Sequence, residues 1–167
     1  YFLQLFREKL AAHGVSVRGT VRIGTGSGAE QLAECSHTID SVVHRVNKPS
    51  DNIAAENLLK TIGAEKSGTP GSAAQALPLV RSYLATLGID TTKMMLADGS
   101  GVSWYNEISP AAIVQLLRKV YEDRDRFVRF YESLPVGGVD GTRKNRLRGT
   151  STAGNVRAKR GSLTGAS

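Results

Sequence analysis

The sequence predicts an α+β chain in which helices dominate and strands stand only towards the two ends. Three observations carry this. Apolar residues return at spacings of three and four along most of the middle of the chain. Two stretches, "VSVRGTVRI" at 15–23 and "VRAKRGSLTG" at 156–165, read as extended instead. Clusters of Gly, Pro and Ser separate one periodic stretch from the next. A length of 167 residues with 40% hydrophobic and 22% charged content suits one globular domain with a sizeable core, and there are no internal repeats or low-complexity tracts.

Phe2, Leu5, Phe6 and Leu10 form the first helical stripe, which Gly14 is placed to end. The strand at 15–23 follows, interrupted at Gly19. The loop "GTGSGAE" after it superficially resembles a dinucleotide-binding glycine loop, but its third glycine is wrongly spaced and no phosphate-binding lysine follows, so it reads as a turn. Ile39, Val42, Val43 and Val46 make the next helix, ended by Pro49. Ala55, Leu58, Leu59 and Ile62 mark another. The segment "SAAQALPLVRSYLATLG" is helical, with Pro78 expected to kink it or start a new helix. Ser109 and Pro110 supply a cap and first-turn pair for a helix whose apolar face is Ile113, Leu116, Leu117 and Val120. Phe127, Phe130, Tyr131 and Leu134 repeat the pattern as core residues, and "PVGGVDGT" closes the helical region.

Between the second and third helices stands Ser50-Asp51-Asn52. All three side chains accept hydrogen bonds from the free amides of a first helical turn, which makes a helix cap the simplest reading. The reciprocal capping box is missing, because Ile53, Ala54 and Ala55 occupy the positions where Glu or Gln would stand. The same tripeptide also fits an active site. A histidine-free serine acyltransferase needs a lysine to activate its nucleophile, a second Ser and Lys to pass protons, and a strand edge to bind substrate. Ser50, Asn52 and the distant Lys159 supply the last two parts. Gly161 would let a substrate backbone approach the strand closely.

Charge is unevenly placed. Of the net +7, the whole excess lies in residues 141–167, with Arg143, Lys144, Arg146, Arg148, Arg157, Lys159 and Arg160 and no acidic residue. Such a segment suits an anionic partner, whether a polyanionic wall or a substrate carboxylate. Nucleic acid is disfavoured, since the segment has no aromatic residue for base stacking. No apolar run approaches the ~20 residues that span a bilayer, so no transmembrane segment is expected. The single cysteine, Cys35, excludes an internal disulfide and makes no metal-ligand pattern with His13, His37 and His44.

"NKPSDNIAAENLLKTIG", "LADGSGVSWYNEISP", "LPVGGVDGTRKNRLRGT" and "NVRAKRGSLTGAS", in this order over nearly the whole chain, resemble the low-molecular-mass class C penicillin-binding proteins, the D-alanyl-D-alanine carboxypeptidases and endopeptidases of bacterial cell-wall metabolism. The resemblance implies a penicillin-binding or β-lactamase-like serine transpeptidase fold, an antiparallel sheet with a helical lobe and a cleft between them. Residues 1–167 would be part of one such domain, lacking the upstream nucleophile segment and the downstream strands. It implies cleavage of peptidoglycan stem peptides through an acyl-enzyme, acylation by β-lactams, no cofactor or metal, and a periplasmic or otherwise extracytoplasmic location. By matching motif, Ser50 resembles the family's proton-shuttling serine, Asn52 the amide that holds the substrate's acyl side, and Lys159 the strand lysine that shares a hydrogen bond with that serine. Asp51 would brace the turn. Arg160, Gly161 and Ser162 would bind substrate, with the Ser162 amide as an oxyanion donor. Asp98 to Gly101 would form a tight loop near the cleft, with Trp104 and Tyr105 packed beneath it.

Two departures from the family pattern stand out. No serine in the chain has a lysine three positions later, the spacing of the family's nucleophile motif. Arg160 stands where the family has Thr or Ser, and a guanidinium there could grip a substrate carboxylate in a bidentate pair or crowd the cleft. The alternative to an enzyme is therefore a catalytically impaired homologue that binds peptidoglycan.

Overall fold

The structure is a computed structural model that describes residues 1–24, 30, 33–68 and 70–162. It divides into two compact units, Tyr1–Ser36 and His37–Ser167.

In the first unit the opening stripe forms α1 (Phe2–Ala12). Its end is fixed by Gly14, whose φ of +78° is easy only for glycine. The Gly14 and Val15 amides then bond back to the Ala11 and Leu10 carbonyls, the double closure of a Schellman turn. Residues 15–23 do not form the expected strand. An extended segment becomes a strand only when another backbone pairs with it, and among the described residues none pairs here. Residues 25–29 of the glycine-rich loop lie outside the described residues.

The second unit is helical: α2 (Ile39–Asn47), α3 (Asn52–Ser67), α4 (Ala73–Thr86), α5 (Pro110–Glu122) and α6 (Arg124–Ser133), followed by a 3₁₀ turn at Gly141–Arg143. Short polar side chains start each of the five helices. Thr38, Asp51, Ser72, Ser109 and Asp123 each accept an amide of the first turn, and Ser72 with Gln75 completes a reciprocal capping box. Pro78 neither ends nor restarts its helix; α4 runs through it from Ala73 to Thr86.

Helix α3 packs on α4, and α6 packs on α2 and α5. The α3–α4 contact is close because its residues are small. Gly63 lies against the Ser72 carbonyl and Ala76, and a methyl added at Gly71 would fall 1.8 Å from the Lys60 carbonyl oxygen. The core gathers Leu84 of α4, Ala112 of α5 and the connecting Ile89 and Met94, with Val80, Leu87, Leu96 and Leu116 around them. Burial of each large member contributes about 2 kcal/mol.

Among the described residues antiparallel pairing takes the form of isolated bridges, Met95 with Glu107 and Val136 with Arg157. In the described part of the expected late strand, residues 156–162, the Gly137 amide bonds the Val156 carbonyl at 2.8 Å and the Ala158 amide the Pro135 carbonyl at 3.0 Å. The α6 aromatics also differ from expectation. Phe127 is edge-on to Tyr121 and stacked on Tyr131, but Tyr131 stays exposed and carries the Arg157 guanidinium 4.4 Å over its ring.

Candidate active site

The turn before α3 separates the three residues of the tripeptide. Asp51 is the cap: its carboxylate accepts the Ala54 amide at 3.0 Å and the Arg45 Nε at 2.7 Å. The Ala54 bond in particular holds its pKa below the usual carboxylate value. Asn52 is the first helical residue. Ser50, just outside the helix, has a φ of +63°, a left-handed conformation that a residue with a Cβ seldom adopts. Backbone strain of this kind persists where surrounding contacts over-determine it.

Those contacts come from the neighbouring residues. Lys48 is buried, unusual for a lysine, and its ammonium meets Asp140 at 2.5 Å. The Lys48 carbonyl accepts the Thr142 amide at 3.1 Å, while Asn47 donates to the Ser133 hydroxyl at 2.7 Å. Gly141 makes the close approach possible, since a Cβ there would sit 2.7 Å from the Lys48 carbonyl oxygen. At Asp140 partial burial pushes the pKa up, but the hydrogen bonds from Lys48 and the Val136 amide, with the Lys48 and Arg157 charges, outweigh it and leave the carboxylate below its usual value.

Across the cleft, Lys159 extends its Nζ to the Ser50 Oγ at 2.6 Å and to the Arg160 carbonyl at 2.8 Å. The two side chains are 109 residues apart in sequence. Although Lys159 as a residue is exposed, burial of its ammonium lowers its pKa relative to a free lysine.

A cleft of about 690 Å³ opens over this contact. Ser50, Asn52, Lys159, Arg160, Gly161 and Ser162 all line it, so the six residues singled out from sequence stand around one space. A side chain at Gly161 would meet nothing within 4 Å and its φ is not in the left-handed region, so no internal contact among the described residues demands glycine there. Residues 163–167 of the expected strand lie outside the described residues.

The loop from Asp98 forms the opposite rim through Ser100, Gly101 and Val102. Partial burial raises the Asp98 pKa, but bonds from Asn106 and from the Ser103 and Gly101 amides more than offset this and lower it overall. Glu56 on α3 accepts the Gly99 and Ser100 amides, both at 3.0 Å, and so fixes the loop to the helix that begins at the Ser-Asp-Asn turn. Trp104 and Tyr105 are not packed beneath the loop; polar bonds centred on Asp98 organise it, and both rings stay largely exposed, at 66% and 72%. Sequence reading missed Lys48, Glu56, Asp140 and Thr142. The only signal for them was their presence within the motif-bearing blocks.

Among the described residues no helix is long and apolar enough to cross a membrane, and no cluster of three or more His, Cys, Asp or Glu residues is placed to hold a metal ion. The whole chain, residues 1–167, matches the model of the D-Ala-D-Ala carboxypeptidase 3 (S13) family. It is 37% identical to a D-alanyl-D-alanine carboxypeptidase of Actinomadura sp. (strain R39), over 98% of this chain and 32% of that protein. Two crystal structures of penicillin binding protein 4 (dacB) from Haemophilus influenzae share its fold. The first, complexed with a β-lactam, matches with a TM-score of 0.82 and 29% identity over 98% of this chain and 38% of that one. The second matches at 0.84 and 30% identity over 99% and 37%. The chain spans about a third of the length of the curated relatives it matches.

Proposed function

Because the chain belongs to the D-Ala-D-Ala carboxypeptidase 3 (S13) family, we propose that it forms the proton-relay and substrate-binding side of a serine D-alanyl-D-alanine carboxypeptidase site. The substrate in this reading is a peptidoglycan stem peptide, with β-lactams as acylating analogues, and the setting is extracytoplasmic. The observation that carries it is the 2.6 Å contact between Lys159 Nζ and Ser50 Oγ.

The chemistry follows from that contact. A nucleophilic serine attacks the carbonyl of the penultimate D-alanine, its hydroxyl proton passing to the lysine that activates it outside these 167 residues, and as the C–N bond breaks the departing amine needs a proton at its nitrogen. Ser50 Oγ–H passes one across, and Lys159, already donating to that oxygen, replaces it. A lysine with a lowered pKa gives up its proton more readily than an ordinary one, which suits the task. The Asn52 side chain holds the acyl side of the substrate, the Ser162 amide is one donor to the developing oxyanion, and Arg160 faces the terminal carboxylate. No serine of this chain has a lysine three positions on, so in this reading the acylated serine stands outside these 167 residues.

Acylation of the full-length protein by a fluorescent penicillin tests the reading. Lys159→Ala and Ser50→Ala are each expected to slow acylation by ~100-fold to ~10,000-fold, with the double mutant little worse than the poorer single one, because both act on one proton path. Near-wild-type acylation in both single mutants would remove the proposed site. Retained binding of stem peptide with no acylation in the wild type would instead assign a recognition protein.

A further inference from the structure

Ser50 and Lys159 have no hydrogen-bonded ladder between them, and yet their side chains meet at 2.6 Å. Something other than a sheet must set that distance. One carboxylate bonds to both supporting segments. Asp140 Oδ2 receives the Lys48 ammonium at 2.5 Å, two residues before Ser50, and Asp140 Oδ1 receives the Val136 amide at 2.8 Å. Val136 is the residue bridged to Arg157, two residues before Lys159, and its neighbours Pro135 and Gly137 hold Ala158 and Val156. We propose that the Lys48–Asp140 ion pair is a positioning device for the Ser50–Lys159 contact, Asp140 joining through its two oxygens the segment that carries the serine and the segment that carries the lysine. The inference rests on the proton-relay reading of that contact.

Stability alone does not account for the pair. Desolvating a lysine offsets most of what the Coulomb attraction returns, and apolar residues of similar volume commonly serve a core as well or better. What an apolar pair lacks is direction. A carboxylate fixes two donors at set angles about one centre, and here the two donors come from the segment that carries Ser50 and the segment paired with the one that carries Lys159, which the Asn47–Ser133 bond also joins. The surroundings reinforce the geometry: Thr142 donates its amide to the Lys48 carbonyl, and Gly141 lies too close to that carbonyl to carry a side chain. Arg157 is tied separately, through its bond to the Tyr131 carbonyl at 3.2 Å. The Asp140 side chain is 41% exposed while the Lys48 side chain is 10% exposed, so the two ends of the pair tolerate substitution differently.

That asymmetry chooses the variants. Lys48→Met keeps the apolar stem and leaves a partly solvated Asp140 still bonded to the Val136 amide, so folding is retained. Asp140→Asn keeps the shape but strands a buried ammonium. In the full-length protein, each is expected to slow acylation by a fluorescent penicillin about 10-fold to 100-fold, the loss typical of a displaced reacting group, while Lys48→Arg restores most of the rate. The deciding measurement repeats both substitutions in a Lys159→Ala background. A residue that acts through Lys159 has nothing left to position there, so neither substitution should slow acylation further. Acylation indistinguishable from wild type in Lys48→Met overturns the inference, as does an equal loss with and without Lys159. Wild-type acylation in Lys159→Ala alone is a different failure, which strikes the proton-relay reading itself.

Discussion

The two sides of the Ser50–Lys159 contact are built in opposite ways. The serine side is dense and local. Pro49 ends one helix, Asp51 begins the next, Arg45 and the Ala54 amide hold Asp51, and Ser50 is forced to a φ of +63° between them. The lysine side is sparse and remote, a segment fixed at one antiparallel bridge and by Arg157 against Tyr131, and exposed from Lys159 to Ser162. Both sides nevertheless work against stability where they touch, one through backbone strain and the other through a desolvated cation. Residues held in unfavourable states need surroundings that over-determine them, and the loop around Asp140 and Gly141 lies against the residues just before Ser50.

The largest effect is therefore expected where the two sides are clamped together. In Gly141→Ala the new methyl would lie 2.7 Å from the Lys48 carbonyl oxygen and 3.1 Å from the Pro135 Cβ, at a φ of +54°. A destabilisation of about 2–4 kcal/mol is expected from the combined clash and left-handed backbone. Gly149→Ala is the control. Its φ is +72° but its Cβ would meet nothing within 4 Å, so only the conformational cost of about 1 kcal/mol remains. Urea denaturation of both variants measures the difference, and equal losses would show that the close approach at Lys48 is not tight.

The same contrast explains what could be read from the sequence. Each helix was legible because its signals are local: apolar residues at spacings of three and four, a polar cap, a proline or glycine beyond the end. Gly14, Ser109 and Pro110 work within one turn of the residues they act on. The segment around Pro78 is helical as expected, and of the two roles open to the proline the start of a new helix does not occur, because packing of α4 on its neighbours carries the helix through it. The strand expected at 15–23 did not form, for the complementary reason. Whether residues 15–23 or 156–162 pair depends on a distant backbone, which periodicity does not encode. Site residues divided along the same line. Ser50, Asn52 and Lys159 were singled out as candidates by motif resemblance, whereas Lys48 and Asp140, 92 residues apart, became a pair only in three dimensions.

Ser50 offers a medium effect that separates strain from chemistry. Ser50→Ala and Ser50→Gly both remove the hydroxyl that Lys159 bonds, so their acylation defects should match. Their stabilities should not. Glycine takes the left-handed conformation without a Cβ penalty, and Ser50→Gly is expected to be more stable than Ser50→Ala by about 1 kcal/mol. If alanine proved as stable as glycine by thermal denaturation, the turn would not be strained by its side chain, and the serine side would be merely well packed.

The smallest effect concerns the lysine side and depends on pH. Burial lowers the Lys159 pKa in the folded protein, so the unfolded chain binds that proton more tightly than the native one. Between the folded value and the ordinary lysine value of ~10.4 the unfolded state carries more protons, and stability attributable to this group rises with pH there. Below the folded value the penalty is constant. Lys159→Met removes it while keeping an apolar stem, so the variant is expected to have a slightly higher thermal midpoint than wild type near neutral pH. As pH climbs towards the ordinary lysine value, wild type recovers and the gap closes. Loss of the hydrogen bonds to Ser50 and the Arg160 carbonyl acts in the other direction, so the diagnostic quantity is the change in the difference with pH rather than its size at one pH. A midpoint difference that stayed flat from neutral pH upward would mean that the Lys159 ammonium is as well solvated as any surface lysine, and that only the serine side of the contact is held under tension.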